Sequence, residues 1–273
     1  MKKAAAFLSL IFAFVGNAFA GRIELRRGDE RCAVETLGAR IVSYSVRGGE
    51  LLWMPEDGSV NSNVWRHGGI ALAWPWFGRL GAGDRHVHGY AWKSDFKISS
   101  RTAHSAVLTL TTESAALEYA IRLDGALVLE LKTTNLSKFD LPVGMAFHPY
   151  FRVGERDVAV IEGFGVSCVQ VTDSVDRSVR FDPVPPRHEC IVRDIARNMA
   201  LKIVSEGATG LNLWNPGREK LCPGVIPGDE WRRFIAVEPF AMGVNRFLVL
   251  PAGGRHPGPL RRGRIPDPRP RQG

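Results

Sequence analysis

The sequence predicts an all-β fold, a single large antiparallel β-sandwich. Runs in which apolar and polar residues alternate recur along the whole chain, as expected of strands with one buried face. Turn signals separate these runs: Asp124-Gly125 lies between two strong strand patterns, and Arg47-Gly48-Gly49 follows another. A helical period is found in one short window, 192–201. No repeat at a fixed spacing appears, which argues against a propeller or a solenoid.

Each predicted strand is a run of alternating or β-branched residues bounded by turn-forming residues. In chain order the predicted strands cover 22–26, 41–46, 107–112, 117–123, 126–133, 158–161, 201–204, 210–214, 233–237 and 246–250. Alternation is strictest in 117–123, which reads LEYAIRL. The run 233–237 is instead largely apolar.

Residues 1–20 have the organisation of a secretory signal peptide. Basic residues follow Met1, an apolar run extends over 4–15, and small residues precede Gly21. The apolar run is shorter than the roughly 20 residues that span a bilayer, so we expect cleavage rather than anchoring. The mature protein is predicted to be periplasmic or secreted, with no membrane association after cleavage and with one β-sandwich domain over 21–251.

The formal net charge of +8 does not indicate a nucleic-acid partner, because the charge is concentrated at the two ends of the chain. Lys2 and Lys3 belong to the signal, and six arginines against Asp267 lie in 252–273, so the body is nearly neutral. The end of the chain is rich in Pro, Gly and Arg and lacks alternating apolar residues. We therefore expect 252–273 to be a disordered basic tail without a strand.

Four cysteines remain in a chain predicted to enter an oxidising compartment: Cys32, Cys168, Cys190 and Cys222. Cys168 and Cys190 are the favoured disulfide pair, and buried free thiols are the equal alternative. No CxxC spacing occurs, so a structural zinc site has little support.

A metal or nucleotide cofactor is not expected. His86-Val87-His88 would place two imidazoles on one face of a strand, as in cupin-like metal sites. Such sites have a glutamate a few residues later, whereas the next glutamate here is Glu113. The phosphate-binding patterns GxGxxG and GxxxxGK[ST] are also absent from the expected places.

The segment 65–92 combines aromatic, basic and glycine residues at a density that suits a sugar-binding cleft. Aromatic faces pack on the C–H face of a sugar while Arg and His bond its hydroxyls. Its polar members are Arg66, His67, Arg79, His86 and His88, and its aromatic members are Trp65, Trp74, Trp76, Phe77, Tyr90 and Trp92. Any one of these tryptophans is more often a core residue, but the polar context favours a site for the segment as a whole.

Two further residues suit acid/base chemistry. Alternation in 144–152 would send Ala146, His148 and Tyr150 to one face of a strand. Glu238 ends the apolar run 233–237, where a buried carboxylate is costly unless it has a partner. Each could also be a satisfied core residue, so position alone does not decide between a structural and a chemical role.

Several of these segments, in their order, resemble the aldose 1-epimerase (mutarotase) superfamily, and most nearly its D-hexose-6-phosphate mutarotase, or glucose-6-phosphate 1-epimerase, branch, over about residues 22–250. The matching segments are Gly68-Gly69-Ile70, Trp74-Pro75-Trp76-Phe77-Gly78, His88-Gly89-Tyr90-Ala91, 147–153 (FHPYFRV), Trp214-Asn215-Pro216 and Val237-Glu238-Pro239. The resemblance implies a galactose mutarotase-like supersandwich that interconverts the α and β anomers of an aldose, or of an aldose 6-phosphate, without a cofactor.

The resemblance also implies roles for particular residues. Glu238 matches the general base and His148 the general acid, which would act on the anomeric hydroxyl and the ring oxygen. The residues expected to bind the sugar are Arg66, His67, Trp76, Arg79, His88 and Trp214. The implied partner is a small-molecule sugar, and the oligomeric state is not specified by the sequence.

The chain departs from the phosphate-specific branch at two positions. That branch usually has Arg directly before the Gly-Gly pair and after the His-Gly-aromatic-Ala run, whereas this chain has His67 and Trp92 there. Arg66 and Arg79 are neighbours, but a shift of one residue along a strand reverses the face of the side chain. An unphosphorylated aldose, or a sugar unit from a polysaccharide, is therefore the favoured substrate. The last strand of the family is also expected to be missing.

Two other functions are also compatible with the sequence. A non-catalytic carbohydrate-binding protein would keep the aromatic cleft but would not require both His148 and Glu238. A glycoside hydrolase usually needs two carboxylates flanking the scissile bond, and Asp84 and Asp229 are weak partners for Glu238.

Overall fold

The computed structural model describes residues 21–55, 65–81, 87–163, 166–169, 177–218, 226, 228–243, 247–254 and 260–263. The predicted signal 1–20 lies outside these residues, and export stays a prediction. In the described part of the chain, no helix has the length and apolar composition needed to cross a membrane.

Strands make up most of the described chain. In order they are β1 (Arg22–Arg27), β2 (Glu30–Glu35), β3 (Ile41–Val46), β4 (Gly49–Glu50), β5 (Ile70–Ala73), β6 (Lys97–Arg101), β7 (Ser105–Thr111), β8 (Ala115–Leu123), β9 (Leu127–Asn135), β10 (Leu141–Val143), β11 (Met145–Arg152), β12 (Ala159–Gly163), β13 (Val166–Val169), β14 (Arg177–Phe181), β15 (Arg187–Asp194), β16 (Met199–Glu206), β17 (Gly210–Asn215), β18 (Phe234–Ala241), β19 (Leu248–Leu250) and β20 (Leu260–Gly263). The helices described are short 3₁₀ turns at Ala91–Lys93, Arg156–Val158 and Glu230–Arg233.

These strands form two nine-stranded sheets, and the all-β prediction is confirmed. The first sheet has the order β1-β2-β3-β5-β11-β18-β17-β14, with β4 paired to β3. The second has the order β13-β12-β15-β16-β20-β9-β8-β7-β6. The neighbouring strands within each sheet run antiparallel. β10 and β19 form a separate two-stranded ribbon.

The core lies between the two sheets. Alternation along β11 sends Phe147 and Phe151 into the main apolar cluster, together with Tyr119 and Leu131 of the second sheet. One hydrogen bond also crosses this core, from the Trp74 indole nitrogen to the Thr133 hydroxyl at 3.0 Å. The alternate β11 residues face away from the main core, so the prediction that Ala146, His148 and Tyr150 share a face is confirmed.

Both predicted turns are confirmed. Asp124-Gly125 lies in the connection between β8 and β9, where Leu123 pairs with Leu127 and the Asp124 amide bonds the Ala126 carbonyl. Arg47 and Gly48 connect β3 to β4 with positive φ angles of 53° and 78°. That geometry matches the twist of a two-residue hairpin.

The predicted short helix over 192–201 is wrong. This segment is the end of β15, a turn and the start of β16, with Val192 paired to Leu201. The Asp194 carboxylate accepts from the Arg197 and Gly154 amides, and Asn198 has a φ of 50°. These local hydrogen bonds favour a turn, which the helical spacing of a few apolar residues could not reveal.

The tail 252–273 contains a strand, contrary to the expectation of a strandless tail. β20 lies between β16 and β9, with Val204 opposite Gly263 and Leu260 opposite Leu131. Pairing with a strand on each side satisfies the backbone N–H and C=O groups of β20. The local Pro/Gly/Arg composition does not indicate such pairing, because it depends on strands distant in the sequence. Residues 255–259 and 264–273 lie outside the described residues.

The predicted Cys168–Cys190 disulfide does not fit the strand order. Cys168 is on β13 and Cys190 on β15, with β12 between them. Two inter-strand spacings amount to about 9–10 Å, beyond the roughly 7 Å that a disulfide spans between Cα atoms. Cys32 is a buried free thiol whose pKa is raised mainly by burial. Cys222 lies outside the described residues.

Candidate active site

Adjacent strands of the first sheet carry a row of polar side chains on the face turned away from the main core. His148 on β11 lies opposite Ala71 on β5. Glu238 on β18 lies opposite Asn212 on β17. The β11–β18 register on either side of these residues places His148 directly opposite Glu238. Strands far apart in the sequence thus bring the two predicted catalytic residues together.

His148 and Glu238 form a close buried pair. The His148 Nε2 and Glu238 Oε1 atoms are 3.2 Å apart, and the two side chains are 5% and 2% exposed. Although close, these atoms are not aligned as a hydrogen bond, and His148 Nδ1 has no hydrogen-bond partner. The Asn212 side-chain amide donates to Glu238 Oε2 at 3.0 Å. Unsatisfied buried polar atoms are rare, so the pair has unused capacity to bond a polar ligand.

Burial sets the protonation of this pair. It raises the pKa of Glu238 from 4.5 to about 8, against the smaller lowering effect of the Asn212 hydrogen bond. It also lowers the pKa of His148 well below 6.5, and the nearby His88 and His67 lower it further. Both groups are therefore neutral at pH 7, with the proton on Glu238. A general acid, the role that the resemblance implies for His148, would instead carry the proton on the imidazole, but desolvation penalises the imidazolium.

His88 is fixed next to this pair by its backbone. Its φ is 64°, an uncommon conformation for a residue with a side chain. The Gly78 amide donates to His88 Nδ1 at 3.1 Å, which leaves the proton of the neutral ring on Nε2. The His88 ring meets the His148 ring edge-on at 5.2 Å. Burial, followed by His67 and the exposed Arg79, lowers the pKa of His88 to about 3.

His67 and Trp214 lie on the other side of the pair. Their rings are stacked with centroids 5.8 Å apart, and the Trp214 ring meets His148 edge-on at 5.9 Å. The Tyr150 ring stacks on His148 at 4.8 Å. Burial, and then the charge of Arg40, lower the pKa of His67 to about 3. His67 is therefore a neutral residue in an aromatic wall.

Trp65 covers the histidines. Its ring centroid lies 4.4 Å from that of His88 and 5.1 Å from that of His148. Its indole nitrogen donates to the Tyr150 hydroxyl at 3.0 Å. A sugar that reaches His148 must therefore displace this indole or stack against it.

Three other predicted sugar-binding residues make their described contacts away from the His148–Glu238 pair. Arg66 forms an ion pair with Glu35 of β2 at 3.0 Å, and its side chain is 8% exposed. The Trp76 ring meets the Tyr90 ring edge-on at 6.0 Å. Arg79 is exposed at the edge of the His88 loop. These three residues were predicted to lie with the histidines, but the contacts described above centre on His67, His88, His148, Trp214 and Glu238.

Sequence reasoning missed Asn212 and Arg180. Asn212 is in a predicted strand, but no local feature shows that β17 pairs with β18 and points this amide at Glu238. Arg180 is on β14, directly opposite Asn212, and so continues the same row. Only the order of the strands in the sheet reveals either position.

No group of three or more His, Cys, Asp or Glu residues is arranged to hold a metal ion within the described residues. His86, the proposed partner of His88 in chelation, lies outside them. The weak hydrolase candidate Asp84 does too, and Asp229 lies beside the Glu230–Arg233 turn.

Comparisons with known proteins give a family. A family model described as "Aldose 1-epimerase" matches residues 21–264. Two curated relatives, from Escherichia coli K12 and Salmonella typhimurium LT2, are each named "Putative glucose-6-phosphate 1-epimerase". Each is 23% identical over 224 residues, which cover 74% of this chain and 76% of the relative.

Solved structures share the fold. A Synechocystis sp. PCC 6803 protein has a TM-score of 0.73 at 16% identity, with coverage of 96% of this chain and 100% of its own. A structure described as a putative mutarotase from Salmonella typhimurium has a TM-score of 0.71 at 19% identity, with coverage of 88% of each chain. At these identities the likeness establishes a galactose mutarotase-like architecture.

Proposed function

The chain belongs to the aldose 1-epimerase family, and we propose that its His148–Glu238 pair opens and recloses the ring of an aldose. Family membership makes the protein an isomerase of the epimerase, or mutarotase, class, whose general reaction is the interconversion of anomers. The identity of the sugar and the roles of individual residues are the proposal.

The observation that carries this proposal is the 3.2 Å separation of His148 Nε2 and Glu238 Oε1 in a buried site. Ring opening requires one group to take a proton and another to give one. Two neutral groups that share one transferable proton meet this requirement in either direction. Burying a histidine next to a carboxylate is energetically costly, because burial disfavours the charged form of each group. A site that only binds sugar does not require such a pair.

The proposed reaction begins when the proton on Glu238 passes to His148, which gives a carboxylate beside an imidazolium. Glu238 then takes the proton of the anomeric hydroxyl while His148 donates its proton to the ring oxygen. The C1–O5 bond breaks and C1 becomes an aldehyde. Rotation about C1–C2 presents the other face, and reclosure returns each proton, so the pair is unchanged overall.

The neighbouring side chains support this cycle. Asn212 holds one carboxylate oxygen of Glu238, which leaves Oε1 directed toward His148. The Nε2–H of His88 is available as a donor to a sugar oxygen, because Nδ1 already accepts from Gly78. The rings of Trp65 and Trp214, which are partly exposed, offer apolar surface to the C–H face of the sugar.

An unphosphorylated sugar is the proposed substrate. The curated relatives are named for glucose 6-phosphate, but the two positions where that branch usually has arginine carry His67 and Trp92 here. The pKa of His67 is about 3, so its ring is uncharged at pH 7. The Trp92 indole N–H donates a hydrogen bond to the Gly89 carbonyl at 3.0 Å, and Trp92 carries no charge that could bind a phosphate. Export, which we propose from residues 1–20, would also separate the protein from cytoplasmic sugar phosphates.

The test is anomer exchange measured by NMR on glucose, galactose and their 6-phosphates. Wild-type protein is expected to accelerate exchange on the unphosphorylated sugars, and Glu238→Gln and His148→Ala are each expected to lose about 100-fold or more in kcat. Glu162→Gln, on the second sheet and exposed, is the control and should retain the wild-type rate. No acceleration on any sugar, with binding still detectable, would identify a carbohydrate-binding protein instead.

A further inference from the structure

Arg180 extends the row of polar residues that contains the catalytic pair. It lies opposite Asn212, and Asn212 lies opposite Glu238, so Arg180 is two strands from Glu238 on the same face of the sheet. Two inter-strand spacings amount to roughly 10 Å between Cα atoms. A sugar whose anomeric carbon lies at Glu238 can therefore extend across Asn212 toward the arginine.

The Arg180 side chain packs on the Phe240 ring, on the same face of the sheet as Glu238. The Arg180 guanidinium lies 4.4 Å from the centroid of the Phe240 ring, although β17 separates their two strands. Gly210, opposite Phe240, makes this possible. A Cβ at Gly210 would lie 2.1 Å from the ring, so the ring rests directly on the glycine backbone. Phe240 also stacks on Phe77 at 5.6 Å.

A row of contacting rings runs from Arg180 to the histidines: Arg180 lies on Phe240, Phe240 stacks on Phe77, and Phe77 contacts His88. The Phe77 ring lies 5.2 Å from that of His88. Arg180 is thus at the far end of an aromatic rim that begins at His88. Its side chain is 43% exposed, so it remains accessible to a ligand.

Asp182 holds the guanidinium without using all of its donors. An Arg180 terminal nitrogen is 3.0 Å from Asp182 Oδ2. A guanidinium has five N–H groups in a rigid fork, so donors remain after this ion pair. Because one carboxylate and one aromatic ring fix the group, it needs little reorganisation to bind a second anion.

We propose that Arg180 binds a carboxylate at the end of the sugar remote from the anomeric carbon, so that the preferred substrates are hexuronates. This inference rests on the proposed function, because it assumes that the anomeric carbon lies at the His148–Glu238 pair. It narrows the substrate class from unphosphorylated aldoses to those that carry a C6 carboxylate.

A carboxylate fits the site better than a phosphate. A single planar guanidinium pairs bidentately with a carboxylate. A phosphate dianion in this family's phosphate-specific branch meets two arginines, and the corresponding positions here hold the uncharged His67 and the buried Trp92. Asp182 would also repel a dianion more strongly than a monoanion.

The experiment compares anomer exchange on glucuronate, glucose and glucose 6-phosphate at pH 7 and low salt. Wild-type protein is expected to have a higher kcat/KM for glucuronate than for either other sugar. Arg180→Gln should lower the ratio of kcat/KM for glucuronate to that for glucose by about 10- to 100-fold, the usual effect of one charge-assisted hydrogen bond. Arg180→Lys should restore part of that ratio.

Two further variants separate recognition from structure. Asp182→Asn removes the competing carboxylate and should raise the same ratio. Arg193→Gln is the matched control, because Arg193 is an arginine of similar exposure with a carboxylate partner, Glu162, on the second sheet. It should leave the ratio unchanged. An equal loss on glucuronate and glucose in Arg180→Gln would mean that Arg180 only supports Phe240, and would overturn the proposal.

The two proposals can fail separately. If wild-type protein accelerates exchange but prefers glucose, the hexuronate proposal is wrong and the proposed function stands. A preference for glucose 6-phosphate would overturn both the hexuronate proposal and the proposed unphosphorylated substrate, and would leave only the ring-opening role of the His148–Glu238 pair. If no sugar is exchanged, the proposed function fails. Calorimetric binding of glucuronate to the Glu238→Gln protein, with and without Arg180→Gln, then tests the arginine directly, and equal binding by both would overturn its role.

Discussion

At the scale of single residues, the chemistry of His148 and Glu238 depends on where the sheet places them. An exposed glutamate and histidine would be oppositely charged at pH 6, and a surface pair of that kind contributes little. Here burial moves both pKa values toward the neutral forms. The pair therefore holds one mobile proton in place of two fixed charges, which is the state that a reversible acid/base reaction needs.

Replacement of Glu238 by Gln should stabilise the protein, and increasingly so as the pH rises. The pKa of Glu238 is about 8 in the folded protein against an ordinary value of 4.5. A raised folded pKa stabilises the fold fully below about pH 4.5, and this contribution is lost as the pH rises to about 8. The variant has no such loss, so its advantage in unfolding free energy should grow over this window by several kcal/mol and then stay constant.

Urea unfolding of the two proteins at pH 5 and pH 8.5 measures this difference. Glu162→Gln is the matched control, because the Arg193 hydrogen bond lowers the pKa of that exposed carboxylate. Its effect on stability should not increase with pH over the same range. A Glu238→Gln advantage that is equal at both pH values would show that Glu238 is not neutralised by burial.

At the scale of strands, β17 contributes both an amide side chain, on Asn212, and a glycine without a side chain, Gly210. Asn212 supplies the amide that orients Glu238, while Gly210, two residues earlier on the same face, has no side chain. The space it leaves is filled by the Phe240 ring, which contacts Phe77 on one side of the site and Arg180 on the other. The alternation of Asn212 and Gly210 on β17 thus positions both the His148–Glu238 pair and the Phe240 ring.

Gly210→Ala should therefore be destabilising. The new Cβ would lie 2.1 Å from the Phe240 ring, so the ring must move from its contacts with Phe77 and Arg180. Such overpacking costs about 1–3 kcal/mol. The denaturation midpoint should fall accordingly. Gly81→Ala is the control. A Cβ added at Gly81 would meet no atom within 4 Å in the described part of the chain, its sequence neighbours aside, so the midpoint should stay nearly unchanged.

At the scale of the whole molecule, the second sheet is closed by a strand from the end of the chain. β20 joins β16 to β9, and without it the described sheet order would break into two four-stranded parts. Each part would then have a new edge of unpaired backbone groups. The first sheet, which carries the site, packs on this second sheet through the core that contains Phe147 and Tyr119.

Truncation tests the role of that strand. A chain that ends at Gly254 lacks β20 and should unfold at a lower temperature and aggregate more readily, because two sheet edges are exposed. A chain that ends at Gly263 retains β20 and is the matched control, which should behave as the full-length protein does. Equal melting temperatures for the two truncated chains would contradict a structural role for Leu260–Gly263.

Much of the strand content could be predicted because alternation is a local property. The alternating run 117–123 followed by Asp124-Gly125 predicts a hairpin from neighbouring residues alone, because an Asp-Gly turn matches the twist of the flanking strands. The errors came where distant strands decide the outcome. A turn held by Asp194 replaced the predicted helix, and pairing with β16 and β9 made a strand in a tail whose composition favours disorder.

The sequence by itself determined the β-sandwich class, the family resemblance and the candidate residues His148 and Glu238. Periodicity and motifs depend only on residues close together in the sequence. Only the tertiary structure decided that these two side chains lie 3.2 Å apart, that burial leaves both neutral, and that Asn212 and Arg180 continue their row. The physical reason is that strand order and register join residues far apart in the chain, and burial then fixes their charge.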